Sequence, residues 1–273
     1  AEGYLCNAEL REGKQHCQSG TPEFLAETIT AAKQMTKKPL LFRMDSGNDA
    51  LENMLLLHWH DPQLKFLIKH NFRREDRFAI AEELKTVCQN VKHPRDGKAV
   101  YIGSTWRNFE TEKGGSFTIR MVYEITERTT AADGQEMLFP ETGIDMYWTS
   151  LGVSDEEVIA LYHNHAVCEQ YHSEIKTDMG IECLPSGKFE TNALIFKLTM
   201  IAYNILRIIG TAAMKGNDMP IRHSTIKRRR IRTVIDNLIL LAGHLTDHAR
   251  KLRLALGHCN GWIYTFLRVA ASF

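Results

Sequence analysis

The chain has 273 residues, 44% of them hydrophobic, which is enough to bury a core with an insertion and excludes disorder of the whole. Its 34 basic residues are nearly balanced by 33 acidic ones, for a formal net charge of +1. No global field therefore marks a partner, and any nucleic-acid surface must come from local clustering. The cysteines Cys6, Cys17, Cys88, Cys168, Cys183 and Cys259 are scattered, with no C-x2-C pair to suggest zinc. Without a secretion signal, reduced thiols in a cytoplasmic protein are expected. The apolar stretch from Ala193 to Ile209 is broken by Lys197, Tyr203, Asn204 and Arg207, so no membrane span is expected.

In chain order, Tyr4-Leu5-Cys6-Asn7-Ala8-Glu9-Leu10 alternates like a strand already under way. With Ala1 in place of Met, the chain reads as the C-terminal part of a longer protein. Thr21-Pro22-Glu23 predicts a helix start, with Thr21 at the cap, running to about Met35. Leu40 to Met44 is a short apolar strand. Asp45-Ser46-Gly47-Asn48-Asp49 supplies a turn and a cap before a helix over Ala50 to His58, and Leu64 to Lys69 is the next strand. This alternation predicts an α/β core with crossover connections.

From about Lys98 the period changes. Ala99–Ile102, Ser116–Ile125 and Glu136–Phe139 are β-rich runs between glycine turns and read as an antiparallel insertion, after which Met146–Ser150 returns to the core. Ser154-Asp155-Glu156-Glu157 has capping-box spacing. The remainder is expected to be helical, over roughly 156–179, 191–209 and 227–256.

Two segments carry chemistry. Asp45 stands at a strand end, and Tyr162, His165, Glu169 and Lys176 fall within an arc of roughly 60° on an unbroken helix. If Asn164 breaks the helix, Glu169 and Lys176 alone still align within about 20°. A strand-end carboxylate and a helical carboxylate with a cation beside it can hold a divalent metal and meet a phosphate. Taken singly, Asp45 is more often a turn cap, Glu169 and Lys176 a solvated face, and Tyr162 and His165 half-buried packing residues. The run from Arg222 to Arg232, with Lys227, Arg228, Arg229 and Arg230 at its centre, is the strongest local positive cluster. It reads either as a solvated helix start or as a contact to the phosphate backbone. His163-Asn164-His165 lacks the context of a nuclease ββα-metal motif.

Tyr162-x2-His165-x3-Glu169-x6-Lys176, with Arg43-Met44-Asp45-Ser46-Gly47, resembles the DDE transposases of bacterial insertion sequences, in the branch with a Tyr-x2-Arg-x3-Glu-x6-Lys signature. His165 stands where that signature has Arg. The resemblance extends through Glu9–Cys17, His70–Glu75, Leu184–Phe189 and Ala202–Arg207, and so over nearly the whole chain.

The resemblance implies a ribonuclease H-like α/β core whose first strands lie upstream, with a β-rich insertion and a helical C-terminal region. Its parts would be a first core segment at 1–97, the insertion at 98–145, a second core segment at 146–210 and the helical region at 211–273. It makes Asp45 the second and Glu169 the third catalytic and metal-binding acid, with two Mg2+ (or Mn2+) ions in the complete site. Tyr162, His165, Lys176 and the cluster Lys227–Arg230 would bind DNA. The implied reaction is cleavage at transposon ends and strand transfer into target DNA, by a homodimer in a paired-end complex of a bacterial, nucleoid-associated protein. The first acid would lie upstream of Tyr4, so the chain by itself is expected to be inactive or nearly so. A non-catalytic DNA-binding remnant of a decayed transposase is the competing reading, and a metal buffer built on the dispersed histidines has little support.

Overall fold

A computed structural model describes residues 3–111, 114–131, 133–164, 167–220, 228–257 and 260–273. The chain divides into two compact units, one spanning Gly13–His165 and the other joining Ala1–Glu12 to Ala166–Phe273. It is a mixed α/β protein.

The first unit is built on a six-stranded sheet. Helix α1 (Thr21–Met35) starts where the Thr-Pro pair placed it. Gly20, at φ 74°, occupies the cap position, and Thr21 lies inside the helix with its Oγ1 donating to the Cys17 carbonyl. Strand β1 (Leu40–Met44) pairs in parallel with β2 (Leu64–Lys69) through the crossover helix α2 (Leu51–His60). Helix α3 (Arg77–Val87) follows, capped by Asp76, whose Oδ1 accepts from the backbone of Phe78 and Ala79.

Strand β3 (Asn90–Arg95), which the sequence pattern did not reveal, lies at the sheet edge. Beside it run β4 (Lys98–Glu110), β5 (Ser116–Thr130) and β6 (Glu136–Thr149), all antiparallel. The end of β6 pairs with β2, so the long hairpin strands and the parallel pair form one sheet in the order β1-β2-β6-β5-β4-β3.

The sheet is covered on both faces, which is why Phe66, Leu67 and Ile68 of β2 form an unbroken apolar run. Phe66, Ile68, Met121, Met146 and Trp148 pack with Leu25, Ile29, Met54 and Leu57 from α1 and α2. Leu67, Val122 and Tyr147 face the other way, onto Val158 and Ile159 of α4 (Asp155–His163). Ser154 caps α4, its Oγ accepting from Glu157 N–H, as the capping-box spacing predicted. Arg120 fixes the approach to this helix by bonding the Leu151 and Val153 carbonyls and Asp155.

The helix expected from Glu156 to Met179 is not continuous. Asn164 closes α4, its N–H bonding back to the Ala160 and Tyr162 carbonyls, and helical structure resumes in the second unit at α5 (Val167–Ser173). A π-turn over Glu174–Asp178 continues α5. The long helix α6 (Phe189–Met214) follows, and is long and apolar enough, by length and composition alone, to cross a membrane. Arg207 and Tyr203, buried in its midst, anchor it within the unit, while Leu194, Leu198, Ile201, Ile205 and Ile208 are exposed.

Beyond α7 (Ile231–Val234) and a π-turn over Ile235–Ile239, the helix expected to reach Leu256 gives way to a hairpin of β7 (Gly243–His248) and β8 (Lys251–Leu256). Ala249 and Arg250, at φ 52° and 64°, form its two-residue turn, a conformation that suits the twist of paired strands. Helix α8 (Ile263–Ala270) packs Val269 with Ala213, Met219, Val234 and Leu238.

Candidate functional site

In the first unit, parallel pairing brings the C-terminal ends of β1 and β2 together, and there the polar residues concentrate. Asp45 is exposed immediately after β1 and starts a 3-10 turn over Ser46–Asn48. Its Oδ1 accepts from Gly47 N–H at 3.1 Å and Asn48 Nδ2 at 2.8 Å, so it acts as the turn cap that its local sequence suggests. Both recorded bonds fall on the same oxygen, and they fix the carboxylate's orientation at the strand end. Gly47 packs closely here, since a Cβ there would lie 3.1 Å from Cys17 Sγ and 3.2 Å from Asp45 Oδ1 and would press on both side chains.

Tyr162 reaches this end of the sheet from α4. Its ring tilts against Tyr147 with centroids 4.6 Å apart, and Arg43 of β1 donates to the neighbouring Leu161 carbonyl at 2.7 Å. Burial, then the negative charges of Asp45 and Asp145, push the Tyr162 phenol up to about 12, against a smaller opposing effect of Arg43. The phenol therefore remains a hydrogen-bond donor through the physiological range. Structure thus brings Tyr162 into the electrostatic neighbourhood of Asp45. His165 lies outside the described residues.

Beside the turn is a cavity of about 840 Å3 whose lining includes Asp49, His70, Arg73, Glu75, Arg107 and Trp148. His70 sits between two carboxylates, with Nδ1 2.9 Å from Asp49 Oδ2 and Nε2 2.7 Å from Glu75 Oε2.

In the second unit Glu169 is exposed on α5 and lines a cavity of about 420 Å3 with Gln170, Ser173, Glu174, Arg228 and Arg230. Lys176 is exposed as well, but it lines a different hollow, with His172, Ile175, Ile181, Glu182 and Phe196. The π-turn that begins at Glu174 is wider than an α-turn and rotates Lys176 away from the α-helical stripe on which it would align with Glu169.

Among the described residues of the basic cluster, Arg228, Arg229 and Arg230 are engaged within the second unit. Glu174 is 1% exposed and accepts from Arg207, Arg228 and Tyr203. Arg228 also donates to Gln170 at 2.9 Å and stacks over Tyr171 at 4.5 Å. Arg230 forks onto Asp178, and Arg229 lies 5.3 Å over the Trp262 ring with its Nε and Nη2 buried. Lys227 lies outside the described residues.

The sequence reading missed Glu174, Asp178 and His70. Glu174 and Asp178 resemble any acid on a polar helix, and their cationic partners at 228 and 230 lie more than fifty positions away. His70 offered one signal, since Glu75 stands five residues on, but its bond to Asp49 depends on strand pairing.

Asp45 and Glu169 are both exposed, and carboxylate oxygens are the donor type that a hard divalent cation takes. Asp45 presents its group pre-oriented by two donors. Asp45 belongs to one unit and Glu169 to the other. Among the described residues, no three His, Cys, Asp or Glu side chains cluster as a metal site.

Against known families, residues 1–272 match the one described as transposase DDE domain group 1. No curated protein matches the chain.

Proposed function

This chain belongs to the transposase DDE domain group 1 family, and from that membership we propose that it carries out Mg2+- or Mn2+-dependent cleavage at transposon ends and strand transfer into target DNA. The observation that carries the proposal is Asp45, exposed at the C-terminal end of a parallel strand, with its carboxylate oriented by Gly47 and Asn48, in a chain matched to this family end to end.

In this reading the core is ribonuclease H-like, and Asp45 and Glu169 each contribute a carboxylate to metal binding. A divalent metal, when bound, activates the attacking oxygen and stabilises the leaving one. The chain's own residues orient the DNA: Tyr162, protonated throughout the working range, donates to a phosphate oxygen, and Lys176 meets the backbone as an exposed point charge. His165 contributes one hydrogen bond where the related signature has the fork of Arg. The acting species is a homodimer holding two transposon ends, with no membrane involved.

The test is cleavage of a donor duplex, in Mg2+ or Mn2+, by the product of the whole reading frame that encodes this chain. Asp45→Asn and Glu169→Gln are each expected to lower the cleavage rate at least ~100-fold with DNA retention intact, because each removes a metal ligand. Retention of DNA without any cutting by the unsubstituted protein would overturn the catalytic reading and leave a binding remnant.

A further inference from the structure

His70 follows β2, and Asp49 closes the turn that begins at Asp45. The imidazole contacts a different carboxylate through each ring nitrogen, at 2.9 Å to Asp49 and 2.7 Å to Glu75. An ionised carboxylate only accepts, so both contacts are hydrogen bonds only when both nitrogens carry protons. Neutral histidine has one ring donor and must give up one partner.

The tie is local and dense. Asn71 N–H donates to the same Asp49 Oδ2 at 2.7 Å, Arg73 Nη2 to the Asp49 carbonyl at 2.6 Å, and Asn71 Nδ2 to the Ser46 carbonyl at 3.2 Å. The turn that orients Asp45 is therefore held at its far end by residues 70–73, in which Arg73 adopts φ 49°. The His70 side chain is only 12% exposed, between the rings of Phe72 and Trp148 at 5.0 and 5.3 Å. The charged groups around it are Asp49 from the turn, Glu75, Arg73, Arg74 and Arg77 from its own loop and the start of α3, and Arg107 of β4, which lines the same cavity. Lys69 next to it is already paired with Asp145 of β6.

We propose that His70, as an imidazolium shared by Asp49 and Glu75, is a positioning residue for Asp45, and that loss of one of its protons loosens the Asp45–Asp49 turn. Burial, the largest single influence, pulls the His70 pKa down, but the hydrogen bonds and charges of Asp49 and Glu75 together outweigh it and the net shift is upward. The clamp is thus held to higher pH than an ordinary histidine would hold it, and opens as pH rises through the folded value. The proposal rests on the metal-binding role assigned to Asp45 above.

The test uses the whole chain, 15N-labelled, titrated from acid to alkaline pH by NMR. The His70 ring nitrogens and the Gly47, Asn48 and Asn71 amides are expected to shift together, with one midpoint above the ordinary histidine value. Glu75→Gln, which keeps an acceptor but removes its charge, is expected to lower that midpoint. A turn whose amides ignore the His70 titration overturns the proposal.

A second arm follows Mn2+ binding through broadening of the Gly47 amide. Simple carboxylate sites gain affinity or stay level as pH rises. Here affinity is expected to fall about 10-fold through the His70 midpoint, and His70→Gln to be weak at every pH. If Asp45→Asn leaves the Mn2+ effect intact, the metal reading of Asp45 fails. If Asp45→Asn abolishes it while His70→Gln matches the parent in affinity and pH profile, the positioning role fails instead.

Discussion

Arg230 holds Asp178 in a two-point fork, with Nε donating to Oδ2 at 2.8 Å and Nη2 to Oδ1 at 3.0 Å. Nη2 also reaches Ser173 Oγ at 3.2 Å, and the Asp178 side chain is 5% exposed. This is the geometry in which a guanidinium is bound most specifically, and it commits Nε and Nη2 to Asp178 although the Arg230 side chain is itself 51% exposed.

Salt dependence separates the two roles. A cation that neutralises a DNA phosphate contributes about 0.9 to the slope of log affinity against log salt. Arg230→Gln is expected to leave that slope unchanged, whereas Lys176→Gln, which removes an exposed charge with no such carboxylate fork, is expected to reduce it by about 0.9. Equilibrium binding to a donor-end duplex across a salt series reads both. A slope reduced by Arg230→Gln would return the arginine cluster to the DNA surface.

Glu174 sits at the centre of the second unit's polar core, with Arg207 at 3% and Arg228 at 23% side-chain exposure against it. Removing the carboxylate strands a buried guanidinium, so Glu174→Ala is expected to cost about 3–5 kcal/mol in urea denaturation. Arg228→Gln, at the more solvated end of the network, is expected to cost under about 1 kcal/mol. Equal losses for the two variants would mean that Arg207 finds another partner.

What the sequence disclosed and what it hid divide along physical lines. The start of α1 at Thr-Pro, the strands β1 and β2, and the cap at Ser154 are local signals, and each appears where its residues indicate. The β7–β8 hairpin was misread as helix although Leu252-Arg253-Leu254-Ala255-Leu256 alternates with period two. The helix-favouring residues before it masked that alternation, and its turn uses Ala249 and Arg250 instead of glycine. Asp45 and Glu169 could be singled out because the spacing around them matches a family pattern. The polar networks near them could not, because His70 bonds Asp49 across a strand pair, and Arg228 and Arg230 bond Glu174 and Asp178 across more than fifty residues of chain.

The raised His70 pKa makes a prediction about stability as well. Its folded value lies above the unfolded one, so its contribution is fully present below about 6.5 and is lost as pH rises through the folded value. The urea midpoint of the parent protein is therefore expected to exceed that of His70→Gln most clearly near pH 6, and the gap to narrow on going to alkaline pH. A gap that is constant or widens with pH would mean that His70 is neutral in the folded protein. Asp49 and Glu75 would then be held by the backbone and solvent alone.

Gly103 faces Tyr123 across β4 and β5, and the lack of a side chain there admits the phenol ring. A Cβ at 103 would lie 2.6 Å from Tyr123 Cζ, closer than carbon atoms approach without displacement. Tyr123 is 3% exposed and packed in the core beneath α1–α3, so its ring has little room to move aside. Gly103→Ala is expected to destabilise the first unit by about 1–3 kcal/mol, the range for overpacking a filled interior. Adding Tyr123→Phe, which deletes the hydroxyl oxygen at the point of contact, is expected to recover part of that loss, giving a cycle in which the two changes are not additive. Strict additivity would locate the cost of the methyl group in strand β4 itself and not in the Gly103–Tyr123 contact.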